Sequence, residues 1–142
     1  MAELDRLIEL LPQAPPARYL DTILEQVPER SAVAETVFPA GHRVFDGHLP
    51  GRPLVPGVIV VEALAQLCGV ALMPAGQGEP IHGYLAGIQG LRFRRLIEPG
   101  ERVRFSATLD QQLGSAGRFK VDAEVDGETV CSGVLTIGGM RS

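Results

Sequence analysis

The sequence predicts an α+β fold in which an antiparallel sheet encloses one long central helix, and three observations carry that prediction. The run Val58–Met73 is apolar on nearly every face, broken only by Glu62 and Gln66, so a helix there should be buried all round. Val103, Phe105, Ala107 and Leu109 alternate with Arg102, Arg104, Ser106 and Thr108; Phe119, Val121, Ala123 and Val125 alternate with Arg118, Lys120, Asp122 and Glu124. That two-residue period marks strands with one buried face. Asp126-Gly127 follows as a two-residue hairpin turn. A single-layer sheet wrapped around one helix is one arrangement that satisfies all three.

Each element has its own signal. Leu4, Leu7, Ile8 and Leu11 fall at helical spacing and predict a short amphipathic helix over residues 3–11. Pro12, Pro15 and Pro16 end it. Strands are expected around residues 19–27 and 31–38. The Pro- and Gly-rich loop Pro39–Gly57 is long enough to be functional or disordered, and Leu49, Leu54 and Val55 favour an ordered, packed loop. The central helix is entered through Pro56-Gly57 and stopped by Pro74 and Gly76. A strand through 83–95 and a final one near 128–137 complete the set. No internal repeat or second domain is visible, so residues 1–142 read as a single domain.

Bulk composition narrows the function classes. A formal net charge of −4 argues against nucleic acid as a partner. Aromatic residues make up 5% of the chain and Trp is absent, so aliphatic side chains must build the core. Cys68 and Cys131 both sit in apolar segments, as buried thiols do in a reducing compartment. The N-terminal stretch is acidic and amphipathic, unlike a signal peptide, and the Val58–Met73 run is too short for a good membrane span. A cytoplasmic protein without membrane association is expected. With neither a His/Cys/Asp cluster at ligand spacing nor a nucleotide-binding glycine pattern, no metal or cofactor is expected.

Two features carry chemistry. His48 lies in a loop stiffened by Pro50, Pro53 and Pro56, with Gly47, Gly51 and Gly57 between them. A histidine held in this way suits a general base. Glu62 stands among Ile59, Val60, Val61, Ala63, Leu64 and Ala65, where burial should favour its protonated form and fit it to donate a proton. Gln66, one turn on, would orient Glu62 or a water, or simply pack. Gly57 is placed at the helix N-terminus, where unpaired N–H groups can polarise a thioester carbonyl. The set reads as elimination: proton removal beside a carbonyl, oxyanion stabilisation, and protonation of a leaving 3-hydroxyl.

The segment GHLPGRPLVPGVIVVEALAQ (Gly47–Gln66) resembles the signature of the 3-hydroxyacyl-[acyl-carrier-protein] dehydratases of the FabZ type. YLAGIQGLRFRRLIEPGER (Tyr84–Arg102) resembles their next strand and VDGETVCSG (Val125–Gly133) their final hairpin. The resemblance implies a hot-dog fold, with His48 and Glu62 as the catalytic pair contributed by opposite subunits of a homodimer. Further assembly into a hexamer, a trimer of dimers, is also implied. It places the carbonyl at Gly57 and orients the histidine through a backbone carbonyl, that of Val55. Glu62, where dehydratase-isomerases carry Asp, favours plain dehydration. The chain departs from the family where an N-terminal His-Arg pair is replaced by Gln13-Ala14, which points to a different acyl specificity, as in a polyketide or other specialised pathway.

Arg92, Arg94, Arg95, Arg102 and Arg104 concentrate positive charge in an acidic chain. They form either a solvated strand face or a landing site for an acidic acyl-carrier protein. In the latter case phosphopantetheine arrives as part of the substrate. His42 and His82 lack comparable context and read as structural or exposed. Two other functions fit the fold. A thioesterase would use Glu62 and Gln66 to activate water but leaves His48 without a role; a non-catalytic acyl- or carrier-binding subunit would not need the full His/Glu/Gly set.

Overall fold

A computed structural model describes residues 3–11, 13–46, 51–76 and 83–139. Helix α1 (Glu3–Glu9) precedes strands β1 (Thr22–Val27) and β2 (Ser31–Val37). A 3₁₀ turn at Arg43–Phe45 and the long helix α2 (Gly57–Leu72) follow. Strands β3 (Tyr84–Phe93), β4 (Arg102–Leu113), β5 (Ala116–Val125) and β6 (Glu128–Gly138) come last. The strands form one six-stranded sheet in the order β1-β2-β4-β5-β6-β3, with antiparallel pairing throughout.

The sheet curls over α2, which packs chiefly on β4 and β2. Inward residues alternate as the sequence pattern requires: Ala32 and Ala34 on β2, Val103, Phe105 and Ala107 on β4, Phe119, Val121 and Ala123 on β5. They share one core with Val60, Ala63, Leu64, Leu67 and Ala71 of the helix. Burial of this kind supplies roughly 25 cal/mol per Å² of apolar surface. The β5–β6 hairpin turns at Asp126 (φ 52°) and Gly127 (φ 80°), the left-handed pair that a tight hairpin needs.

Several boundaries differ from expectation. Helix α1 stops at Glu9, with Leu10 and Leu11 continuing in hydrogen-bonded turns. β1 begins at Thr22 instead of residue 19 because residues 17–21 are tied to α2 and β2 by side-chain hydrogen bonds. β4 runs on to Leu113 and turns at Gly114 (φ 62°), since pairing with β5 outlasts the hydrophobic alternation. The Pro39–Gly57 loop contains the 3₁₀ turn, one of whose first N–H groups, that of Val44, donates to His42 Nδ1 at 3.1 Å.

The central helix is not enclosed on all sides. Val58 is 75% exposed, and Glu62, Ala65, Gly69 and Leu72, at helical spacing below it, are only partly covered. The sheet covers one side of α2 and leaves this stripe open. The helix C-terminus, by contrast, is closed: Gln26 Nε2 from β1 donates to the Val70 and Met73 carbonyls at 2.9 and 3.0 Å, satisfying carbonyls that have no partner within the helix.

β3 is an edge strand bent by two register shifts, between Leu85 and Gly87 and between Gln89 and Arg92. Gly90 takes φ 59° at the second shift. There β3 presses on β6 so closely that a Cβ on Gly133 would lie 2.5 Å from Leu91 Cα. Bulges of this kind re-aim a strand, and this one carries Phe93 to the start of α2.

Candidate active site

The open stripe of α2 carries the carboxyl predicted as the acid. Gln66 Nε2 donates to Glu62 Oε2 at 2.9 Å and to the Ala17 carbonyl at 2.8 Å. Gln66 Oε1 accepts from Tyr19 N–H at 2.9 Å. Because a backbone N–H only donates and a carbonyl only accepts, those two partners dictate that the amide nitrogen faces Glu62. Gln66 is itself only 2% exposed, so the carboxyl is oriented by a buried, immobile group. Both roles open to Gln66 in the sequence are therefore combined in its contacts. Glu62 is half-buried, not enclosed, because it stands on the uncovered stripe.

Glu62, Ala65, Gln66, Gly69 and Leu72 form one wall of a groove of about 480 Å³, a volume that includes open solvent. Leu11 and Gln13 form one lip; Gly83, Tyr84 and Leu85 with Ile137 form the other. Its lining is mostly apolar with a few placed polar groups, as small-molecule sites commonly are.

Gly57 lies where the sequence places it, in the first turn of α2. Pro56 offers the helix no side-chain cap, and the first turn holds no acidic residue. The N-terminal partial positive charge is therefore not neutralised locally. A Cβ on Gly57 would come within 3.3 Å of Phe93 Cζ, so the aromatic ring shields the approach to the helix end. Val55 is fully buried and its N–H donates to the Ile97 carbonyl at 2.8 Å, which straps the segment before the helix to the β3–β4 connection. His48, the predicted base, lies outside the described residues, as does His82.

The arginines separate into two groups. Arg95 makes paired 2.8 Å hydrogen bonds to the two carboxylate oxygens of Glu101, which holds that carboxyl below its usual range. Arg102 is paired with Glu35, and Arg104 with Glu25 at 3.4 Å. Arg92 and Arg94, exposed at the end of β3, make no ion pair among the described residues. Both flank Phe93, which touches Gly57, and so bring unneutralised charge toward the start of α2.

Cys68 and Cys131 are free and buried. Burial pushes both thiols up, that of Cys131 to about 11, so neither is a thiolate at neutral pH. His42 caps the 3₁₀ turn and stands edge-on to Phe38 at 5.4 Å, the structural role anticipated for it. Among the described residues no group of His, Cys, Asp or Glu is placed to hold a metal. No described helix is long and apolar enough to cross a membrane.

Two contributors were not legible as site residues, and a third, Gln13, was marked only by its departure from the family pattern. Gln13 and Tyr19 sit in an irregular stretch whose path is set by Gln66, forty-seven positions from Tyr19. Phe93 reads as an ordinary strand residue until the bulge in β3 is known.

A six-stranded antiparallel sheet curled over one long helix, with a carboxyl on the helix's open side held by a buried amide, is the hot-dog architecture. The ApeI-like family model, described as ApeI dehydratase, matches residues 24–134. The 3-hydroxyacyl-[acyl-carrier-protein] dehydratase FabZ of Ligilactobacillus salivarius is 34% identical over 96% of this chain and 97% of its own length. That of Roseiflexus sp. is 36% identical over 95% and 94%. Among solved structures, the dehydratase heterocomplex ApeI:P from Xenorhabdus doucetiae superposes with a TM-score of 0.79 at 17% identity, covering all of this chain and 93% of its own. The chain belongs to the ApeI-like and FabZ-type family of hot-dog dehydratases.

Proposed function

We propose that the groove beside α2 is half of an active site that removes water from a 3-hydroxyacyl thioester carried on acyl-carrier protein. The observation that carries this reading is the Gln66–Glu62 hydrogen bond at the groove wall. Gln66 engages Oε2 and leaves Glu62 Oε1 as the oxygen to deliver a proton. The thioester carbonyl binds at the uncapped N–H groups by Gly57, so that enolate charge develops on the helix dipole. His48 takes the proton from C2, the C2–H electron pair becomes the C2–C3 double bond, and the 3-hydroxyl departs as water with the proton from Glu62. The product is the trans-2-enoyl thioester, and solvent resets both groups.

The second half comes from another copy of the chain. Ile88, Tyr84 and Val58 are 53%, 64% and 75% exposed, and β3 is paired on one side only. An unpaired edge with apolar side chains beside a partly bare helix favours closure by a homodimer, in which His48 of one copy faces Glu62 of the other. Arg92 and Arg94 suit an acidic carrier protein at the mouth; Arg95 and Arg102, already paired, contribute less. Two buried, free cysteines fit a cytoplasmic setting.

Incubation with 3-hydroxyacyl-carrier proteins of graded chain length, with products identified by mass, tests the reading. The expected product is 18 mass units lighter by loss of water (about one H2O per turnover). Glu62→Gln should lower kcat by roughly 10²–10⁴-fold. Release of free acid in place of the enoyl thioester would instead identify a thioesterase.

A further inference from the structure

We infer that Gln13 is a specificity-determining residue that favours acyl chains bearing a hydroxyl group beyond C3; this rests on the dehydratase reading of the groove. Gln13 lines the groove, and its Oε1 is buried with no hydrogen-bond donor among the described residues. Its backbone is not free to turn away. Arg18 Nε donates to the Gln13 carbonyl at 3.1 Å, and Gln66 holds Ala17 and Tyr19 just beyond.

The position of Gln13 along the groove follows from its neighbours. Ala17 and Tyr19 meet α2 at Gln66, whereas Leu11 reaches Gly69, lying 3.5 Å from where a Cβ there would be. Gln13, between them in the chain, borders the turn from Gln66 to Gly69. That places it about 6 to 10 Å along the helix from Glu62, at ~1.5 Å rise per residue. With the carbonyl at Gly57 and C3 at Glu62, the same direction leads from thioester to acyl tail. The chain would pass Leu11, Ala65, Leu72, Leu85 and Ile137, all apolar, with Tyr84 at the exposed lip, and meet the buried, unpaired acceptor of Gln13.

A plain alkyl chain in this groove leaves the amide oxygen desolvated and unpaired. A chain with a hydroxyl at the matching depth donates to it. Sites with a buried hydrogen-bonding group discriminate strongly against analogues that lack its partner.

The test compares two series of 3-hydroxyacyl-carrier proteins of equal length, one with an alkyl terminus and one with a terminal hydroxyl. At the matching length the native protein should favour the hydroxylated chain about ten- to a hundredfold in kcat/KM. Gln13→Leu should abolish or invert that preference, and Gln13→Met serves if Leu disturbs the loop. Binding of both series to Glu62→Gln, which retains substrate unreacted, reads the same preference without turnover. Equal kcat/KM and equal Kd for the two series at every length would overturn the inference while leaving the dehydratase reading intact. So would a uniform loss of kcat in Gln13→Leu, which would place Gln13 with the reacting groups. Binding selectivity without any enoyl product would sink the dehydratase reading and retain the role of Gln13.

Discussion

Gln66 joins three groups that have no other reason to meet: the carboxyl of Glu62, the carbonyl of Ala17 and the N–H of Tyr19. Leu in its place would fill similar space but leave the half-buried Tyr19 N–H and the Ala17 carbonyl without their partner. Gln66→Leu should therefore lose about 1–2 kcal/mol of stability in denaturant unfolding. It should also lower kcat more than it raises KM, since the carboxyl loses its orientation but the groove keeps its walls. Asp122 lies on the outer side of β5, and burial, aided by Glu124, raises its carboxyl pKa. Here the folded state binds its proton more tightly than the unfolded chain, whose carboxyl titrates near 3.8. The associated stability is present below that pH and declines as pH rises through the window up to the raised folded value. Asp122→Asn should raise the midpoint of thermal unfolding at pH 7 and flatten its fall with pH across that window. An unchanged profile in a melt series from pH 3 to 7 (about the carboxylate range) would contradict this assignment.

At the level of elements, the strands of the C-terminal half were legible because each has one wet and one dry face, and the hairpin turn because only a few residues accept its positive φ angles. Helix α2 was legible as a helix, but its open stripe was not. Every residue there except Glu62 and Gln66 is apolar or Gly, so hydropathy alone cannot separate a face covered by this sheet from one left for something else. His48, Glu62, Gly57 and Gln66 stand out as candidates through residue type and spacing; the placement of Gln13 beside the groove and of Tyr19 against Gln66 does not, because long-range hydrogen bonds set it. The bulge in β3 was equally hidden, although Gly90 and Gly133 are its two requirements. Gly133→Ala puts a methyl 2.5 Å from the Leu91 Cα, a backbone neighbour that cannot swing aside. The expected cost is roughly 1–3 kcal/mol, read by chemical denaturation. Phe93 should shift off Gly57 as the bulge relaxes, so KM for the thioester rises as well.

For the whole molecule, the unpaired edge decides how the active site is completed. Ile88 pairs with Leu135, a fully buried core residue, and so faces the helix side of the sheet; yet it is 53% exposed. Its own helix packs on β4 and β2 and does not cover it. If a second copy supplies that cover, Ile88→Arg introduces like charges near a two-fold axis, where residue i meets its own counterpart. The variant should sediment as a monomer at micromolar concentration, keep its circular dichroism, and lose dehydration. Retained activity in a monomer would show that one chain holds a complete site. The complementary experiment uses the two halves directly. His48→Ala and Glu62→Ala are each inactive if the pair is required, but unfolding and refolding them together at equal concentrations redistributes the chains. Random pairing makes about half of the dimers mixed, each with one intact site of two, so activity should return to about a quarter of the native value. Zero recovery, with mixed dimers demonstrated by mass, would place His48 and Glu62 on the same chain.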